Sequence, residues 1–317
     1  MKITVLGAGS IGKRHLKTLV NLDHDLEGIK EVRAFDLDET RRNQAGEEFS
    51  GVTICDTLKE SVEGVDLVLI CVPTSYHISV YNEINQYGPF HLFIEKPLSH
   101  TLEGCDNLIF NQKRSNKYTM LGYVMRLHPV LLKAKEYIEA GKVGNVLSVR
   151  AESGFYLPFW HPWEDYRDFY MSWKVGGGGA LLDTSHEIDY LTWMFGKIKY
   201  AQGYSLTISD LDITSDDYTS CIFEFENGVM GELHLDLLQP DESRYLKVVG
   251  SKGVLIADLM KKIIKFNTID DTKWIEEKID VNSDEMYKKE ILNVLSCING
   301  KENQAVDVSE AEHVMQV

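Results

Sequence analysis

Gly7-Ala8-Gly9-Ser10-Ile11-Gly12 follows a short apolar run at the extreme N-terminus and leads into a helical pattern. Three glycines at that spacing call for a strand, a tight turn and a helix packed back on the strand. The first glycine permits the turn, the second lets backbone approach a pyrophosphate, and the third allows close helix–strand packing. Free N–H groups at the helix start, around Ser10 and Ile11, then meet the anion. Asp36 closes the next strand-like run, where a carboxylate accepts hydrogen bonds from the adenosine ribose hydroxyls and repels a 2′-phosphate. NAD is therefore the expected cofactor. Arg41 and Arg42 keep NADP open, because a nearby guanidinium can hold that phosphate.

The same strand–helix alternation continues through strand-like runs at residues 3–6, 32–36, 52–55, 66–72, 91–95 and 118–123, as a parallel sheet with crossover helices requires. A helix is expected over 129–140, with Pro129 in its first turn and Gly141 just past its end. After Gly144 the pattern changes. Residues 146–151 alternate as a strand, and from about 199 to 279 successive strands follow one another, with Asn227-Gly228 as a hairpin turn. Strands joined by short turns make an antiparallel or mixed sheet. The expected fold is α/β: a doubly wound parallel sheet in domain 1–125, then an α+β domain over 126–317 with an open, largely antiparallel sheet. The sequence stops inside a helical pattern at 309–317, so a longer native chain is expected.

At 317 residues the chain can bury two cores, and its formal net charge of −16 argues against nucleic-acid partners and anionic membranes. Five cysteines without metal-ligand spacing fit a reduced compartment, and the start of the chain has no leader pattern. A cytoplasmic protein without a metal site is expected.

Three further segments carry chemistry. Cys71-Val-Pro73-Thr74-Ser-Tyr-His77 closes the fourth strand, where loops at carboxyl ends lie over the ligand crevice. Thr74 and His77 are placed to face the cofactor there, although on spacing alone such a histidine more often begins a helix. Glu95-Lys96-Pro97 closes the fifth strand, and the proline biases Lys96 toward an extended backbone. A lysine so held suits binding or relaying a substrate hydroxyl proton. Gly176-Gly177-Gly178-Gly179 then opens a helical pattern carrying Asp183, His186, Asp189 and Trp193 along one stripe.

These segments, in this order and at these separations, resemble the Gfo/Idh/MocA oxidoreductases (glucose–fructose oxidoreductase, inositol dehydrogenase and relatives) from end to end. The resemblance implies NAD(P)-dependent oxidation or reduction of secondary hydroxyls of sugars, cyclitols and their derivatives. It places Lys96 on substrate and cofactor, His186 as the acid/base and Asp183 as the accompanying carboxylate. Many members space that Asp and His four residues apart, whereas here they are three apart, so Asp189 is a second candidate to orient the imidazole.

The aromatic loop from Tyr156 through Trp160 and Trp163 to Arg167 and Tyr170 reads either as a substrate wall or as packing between domains. As a wall, its rings face a pyranose and Arg167 clamps a carboxylate or phosphate. Its similarity to members from bacterial surface-carbohydrate synthesis implies a sugar, acidic and nucleotide-linked ones included. Tyr123, Arg126 and His128 stand where one domain hands over to the next, as cleft residues or junction contacts. Two other activities share the implied fold: an NAD-dependent glycosidase and a non-catalytic NAD-binding sugar sensor. The open sheet needs a cover, which implies a homodimer or homotetramer.

Overall fold

The computed structural model describes residues 1–22, 24–301 and 306–317, and the chain divides into two units. Unit 1 begins with β1 (Lys2–Leu6), α1 (Ser10–Val20), α2 (His24–Glu27), β2 (Glu31–Phe35), α3 (Glu39–Glu48), β3 (Val52–Ile54), α4 (Leu58–Val62), β4 (Leu67–Ile70), α5 (His77–Ile84), β5 (His91–Ile94), α6 (Cys105–Ser115) and β6 (Thr119–Leu121). The six strands are parallel, in the order β3-β2-β1-β4-β5-β6. β4 reads Leu-Val-Leu-Ile and is buried at every position, as a strand covered on both faces must be. α1 turns Gly12, His15, Leu16 and Leu19 inward, the three-and-four spacing of one helical face. α3 starts at Asp38, whose carboxylate accepts from the Thr40 and Arg41 amides.

Unit 2 contains α7 (Pro129–Glu139), β7 (Val146–Tyr156), α8 (Leu157–Trp160), α9 (Ala180–Asp183), α10 (His186–Phe195), β8 (Ile198–Leu206), β9 (Tyr218–Phe225), β10 (Met230–Asp236), β11 (Leu238–Gly250), β12 (Gly253–Asp258), β13 (Ile263–Thr268) and β14 (Ile275–Lys278). Its eight-stranded sheet runs β14-β13-β12-β11-β7-β10-β9-β8. Only the β10–β7 pairing is parallel, so the sheet is mixed and mostly antiparallel. Gly228, at a φ of 83°, makes the tight turn between β9 and β10. α7 packs on β12 and β13, and α10 packs on β7. Thus the helices cover one face of the sheet. β7 runs on to Tyr156, five residues past the alternation read from sequence, so the aromatic loop starts from a strand end.

Two expectations change. The C-terminal segment Ser283–Gln316 belongs to unit 1, not to the second domain. It forms α11 (Ser283–Ile298) and α12 (Val308–Gln316). α11 packs on α1 and sends Ile291, Val294 and Leu295 into the core under β1, while Asp307 pairs with Met120 of β6. Second, the glycine run does not open one helix. The chain breaks at Thr184 and Ser185 between α9 and α10, so Asp183 ends one helix and His186 begins the next.

Candidate functional site

The glycine turn is built as the sequence demands. Gly7 has φ +97°, and a Cβ there would lie 2.6 Å from the Cys71 carbonyl oxygen. A Cβ on Gly12 would lie 1.8 Å from the Gly7 carbonyl oxygen. Gly9 differs, since a Cβ there would meet only the tip of Arg41, at 3.8 Å. Two glycines therefore serve internal packing, and the third leaves open space at the start of α1. No side chain caps that helix start, where Ser10 is exposed and Ile11 half-buried. Asp36 ties the turn to β2: its Oδ2 accepts from the Ala8 amide at 2.7 Å and its Oδ1 from the Asp38 amide at 2.9 Å. A carboxylate retains further lone pairs for ribose hydroxyls. Beside it, Leu37 is 91% exposed. The open cradle, the uncapped helix start and this carboxylate fit a dinucleotide. The Arg42 guanidinium donates to the Asp36 carbonyl at 2.6 Å and lies over Phe35, so it braces the loop.

The loop after β4 departs from expectation. Cys71 is buried, and its backbone forms the seat of Gly7. Pro73 is exposed and Thr74, which starts a short 3-10 turn, is buried. His77 does not present itself to a cofactor: it is buried, with Nδ1 3.0 Å from the Pro97 carbonyl and Nε2 3.0 Å from the Val72 carbonyl. Burial lowers its pKa against the pull of those carbonyls, and a neutral ring donates to only one of the two.

After β5, Glu95 is buried and Lys96 half-buried. Glu95 Oε1 lies 2.6 Å from His15 Nε2, and Oε2 accepts the Lys96 amide at 3.3 Å. The carboxylate thus anchors the lysine backbone from below.

In unit 2 Gly176 and Gly178 fit against neighbouring backbone, and Gly179 against the Asp216 side chain. A Cβ on Gly178 would lie 2.3 Å from the Met171 carbonyl oxygen, and one on Gly179 would lie 2.2 Å from Asp216 Oδ1. Asp216 in turn starts α9, accepting from Ala180 through its carbonyl at 2.8 Å and from Leu181 through its carboxylate at 2.9 Å. The Tyr170 hydroxyl donates to Asp183. Asp183 and His186 are both half-buried at the break between the two helices.

Asp189 engages Arg126. It is fully buried and bidentate with Arg126, Nε–Oδ2 2.9 Å and Nη2–Oδ1 2.7 Å. This also corrects the reading of Arg126 as a substrate ligand, since its fork is filled by a carboxylate. Tyr123 is likewise buried. A second fork holds the preceding turn: Arg244 Nε and Nη2 bind Glu187 at 2.6 and 2.9 Å. Arg167 is not an open anion clamp either. Its Nε binds both Asp165 oxygens at 2.9 and 3.0 Å, holding the Asp165 carboxyl down at about 2. Trp160 and Trp163 stay accessible, with His161 stacked between them at 6.2 and 4.8 Å, and Trp163 is 76% exposed. Tyr156, at the end of β7, stands edge-on to Phe159.

Sequence reasoning missed Glu187, Arg244 and Asp216. Glu187 and Asp189 alternate with apolar Ile188 and Tyr190 in a helix, which signals buried carboxylates. Their partners lie 57 and 63 residues away in sequence. No local pattern supplies that pairing.

Residues 1–123 match the model of an oxidoreductase family with an NAD-binding Rossmann fold, and residues 131–256 match the GFO/IDH/MocA C-terminal domain. Myo-inositol 2-dehydrogenase of Thermotoga maritima is 28% identical over 83% of this chain and 76% of its own length. The scyllo-inositol 2-dehydrogenase (NAD(+)) of Bacillus subtilis is 24% identical over 97% and 89%. Levoglucosan dehydrogenase, solved with NADH and levoglucosan, superposes with a TM-score of 0.86 at 16% identity, covering 99% of this chain and 94% of that one. UDP-N-acetylglucosamine 3-dehydrogenase from Acidithiobacillus ferrooxidans gives 0.80 at 18%, covering 100% and 94%. With both units matched in order, the chain belongs to the GFO/IDH/MocA family of oxidoreductases.

Proposed function

We propose that this oxidoreductase moves a hydride between NAD and a secondary hydroxyl of an uncharged cyclitol or sugar. The observation that carries the substrate class is the pairing of Arg126, Arg167 and Arg244, each already neutralised by a carboxylate of unit 2. A carboxylated or phosphorylated sugar would have to displace an internal partner to gain a guanidinium. Exposed indole faces at Trp160 and Trp163 suit the apolar face of a neutral ring instead. The inositol dehydrogenases among the relatives support the same class.

When bound, NAD supplies the hydride acceptor. The chain supplies the proton path: His186 takes the hydroxyl proton, Asp183, steadied by Tyr170, accompanies it, and the Lys96 ammonium stabilises the developing alkoxide. General acid–base help of this kind is worth about a hundred- to ten-thousandfold. His186→Ala or Lys96→Met should therefore depress turnover by that order while NAD still binds. The five cysteines are all free, which supports a reduced, cytoplasmic setting. Among the described residues no helix is long and apolar enough to cross a membrane. We also infer a second copy on the open face of the unit 2 sheet.

The test is thermal stabilisation by NAD and by NADP, then turnover on inositols, hexoses, sugar phosphates and nucleotide sugars. NAD stabilisation with turnover of inositols or hexoses supports the reading. Turnover confined to charged sugars overturns the substrate class, and stabilisation by neither cofactor overturns the whole.

A further inference from the structure

Behind Lys96, unit 1 encloses a set of ionisable groups that hydride transfer does not use. His15, on α1, is 0% exposed and 2.6 Å from Glu95. Phe93 and Tyr287 stand edge-on to its ring at 5.0 and 5.9 Å, which keeps water away. Its Nδ1 is buried without a hydrogen-bond partner among the described residues. Glu290 enters from α11, 1% exposed, and its Oε2 also lacks a partner. Gly122 closes the other side, since a Cβ there would sit 3.0 Å from Glu95 Oε2. His15 and Gly122 thus converge on the one carboxylate that holds the Lys96 amide, with Glu290 within electrostatic reach of it.

We propose that His15 and Glu290 are positioning residues for Lys96, acting through the Glu95 carboxylate. This rests on the role assigned to Lys96 above. The argument is charge balance in a dry space. Two ionised carboxylates in one dry space would repel each other, which is strongly unfavourable. With Glu290 neutral, Glu95 keeps its contact with His15 and its grip on the Lys96 amide. Burial, reinforced by the Glu95 charge, pushes the Glu290 carboxyl well above its usual range. The Cys71 thiol, facing both carboxyls, is pushed up for the same reasons. The other charged groups on this packing face are Arg14, over the Tyr287 ring, and Lys17, paired with Asp284 at the exposed rim.

The decisive variant is Glu290→Gln, which keeps shape and removes the titration. Difference infrared spectra at neutral pH should show a protonated carboxyl band in wild type that Glu290→Gln lacks. NAD affinity, read by tryptophan fluorescence, should weaken about three- to tenfold in wild type as alkaline pH ionises Glu290, and stay flat in the variant. A missing infrared band, or identical NAD profiles in both proteins, overturns the inference. Lys96→Met separates the two readings. If it keeps full turnover, the role of Lys96 fails, whereas the infrared band still reports on Glu290. If it loses turnover while the Glu290→Gln and wild-type profiles coincide, only the positioning role fails.

Discussion

A methyl group added at Gly12 would arrive 1.8 Å from the Gly7 carbonyl oxygen, so the first turn of α1 would have to move off β1. The same methyl at Gly9 meets only the flexible end of Arg41 at 3.8 Å. The two substitutions separate folding from binding at residue scale. Gly12→Ala should destabilise the protein by about 1–3 kcal/mol, the range of overpacking a close contact, and weaken NAD as a consequence. Gly9→Ala should leave thermal stability nearly unchanged and weaken NAD by occupying the open cradle. Denaturant titrations paired with NAD titrations check both, and equal destabilisation by the two would refute the division of labour. The motif already gave each glycine its task, Gly9 being the one for the ligand, but not the atoms that enforce the difference. That distinction depends on backbone atoms of Cys71 and on Arg41, both distant in sequence.

Element scale is where the sequence pattern was both strongest and most easily misled. α7 was expected from Pro129 and Gly141, and its cap proves to be a second feature of the same stretch: His128 Nδ1 accepts from the Val130 amide at 3.2 Å. A ring nitrogen can accept only while unprotonated. Burial, and then the charges of Arg244 and Lys262, lower the His128 pKa from 6.5 to about 4. The folded state therefore resists a proton that the unfolded chain takes up. This contribution to stability is complete above 6.5 and is lost as pH falls from there through about 4. His128→Asn keeps an acceptor at the cap and cannot titrate, so its stability deficit relative to wild type should shrink as pH falls from 7 to 4.5. A constant difference across that range would remove His128 from the acid response. α10 was misread for an opposite reason. A three-residue spacing between Asp183 and His186 suggested one continuous stripe, whereas the first helix ends after a single turn at Asp183, with Thr184 as its C-cap. Its Asp189 belongs to the interior with Arg126. Arg126→Met alone should cost about 3–5 kcal/mol by stranding that carboxylate, and Arg126→Met with Asp189→Leu should recover most of it. Urea unfolding of the single and double variants measures the recovery, and no recovery would mean the arginine acts through other contacts.

At the scale of the whole molecule, the alternation of strand and helix was enough to specify the parallel sheet, but not the return of the chain to it. α11 looks like any amphipathic helix, and only tertiary packing decides that Ile291, Val294 and Leu295 complete the core beneath β1 rather than that of unit 2. The larger sheet poses the complementary problem of a face that the described residues of unit 2 leave open. Tyr200, Tyr204 and Leu206 of β8, Ile222 of β9 and Met230 of β10 are all exposed. Register places them on one side, because Tyr200 pairs with Glu224, Gln202 with Ile222, and Met230 with Glu224 in turn. The opposite side carries buried Phe223, Phe225, Leu233 and Leu235. A sheet face with this many exposed apolar side chains, interleaved with Gln202, Glu224 and Glu232, suits an interaction face. Two copies meeting face to face would bury it twice over, as isologous contacts do. Light scattering on the purified protein should give at least twice the chain mass at micromolar concentration. Tyr204→Lys combined with Ile222→Lys should bring it to the monomer mass, because each interface would then bury four unpaired ammonium groups. Both positions lie outside the glycine turn of unit 1, so NAD stabilisation should survive in the monomer. A wild-type monomer, or a variant that keeps the wild-type mass, would leave this face to a partner other than a second copy.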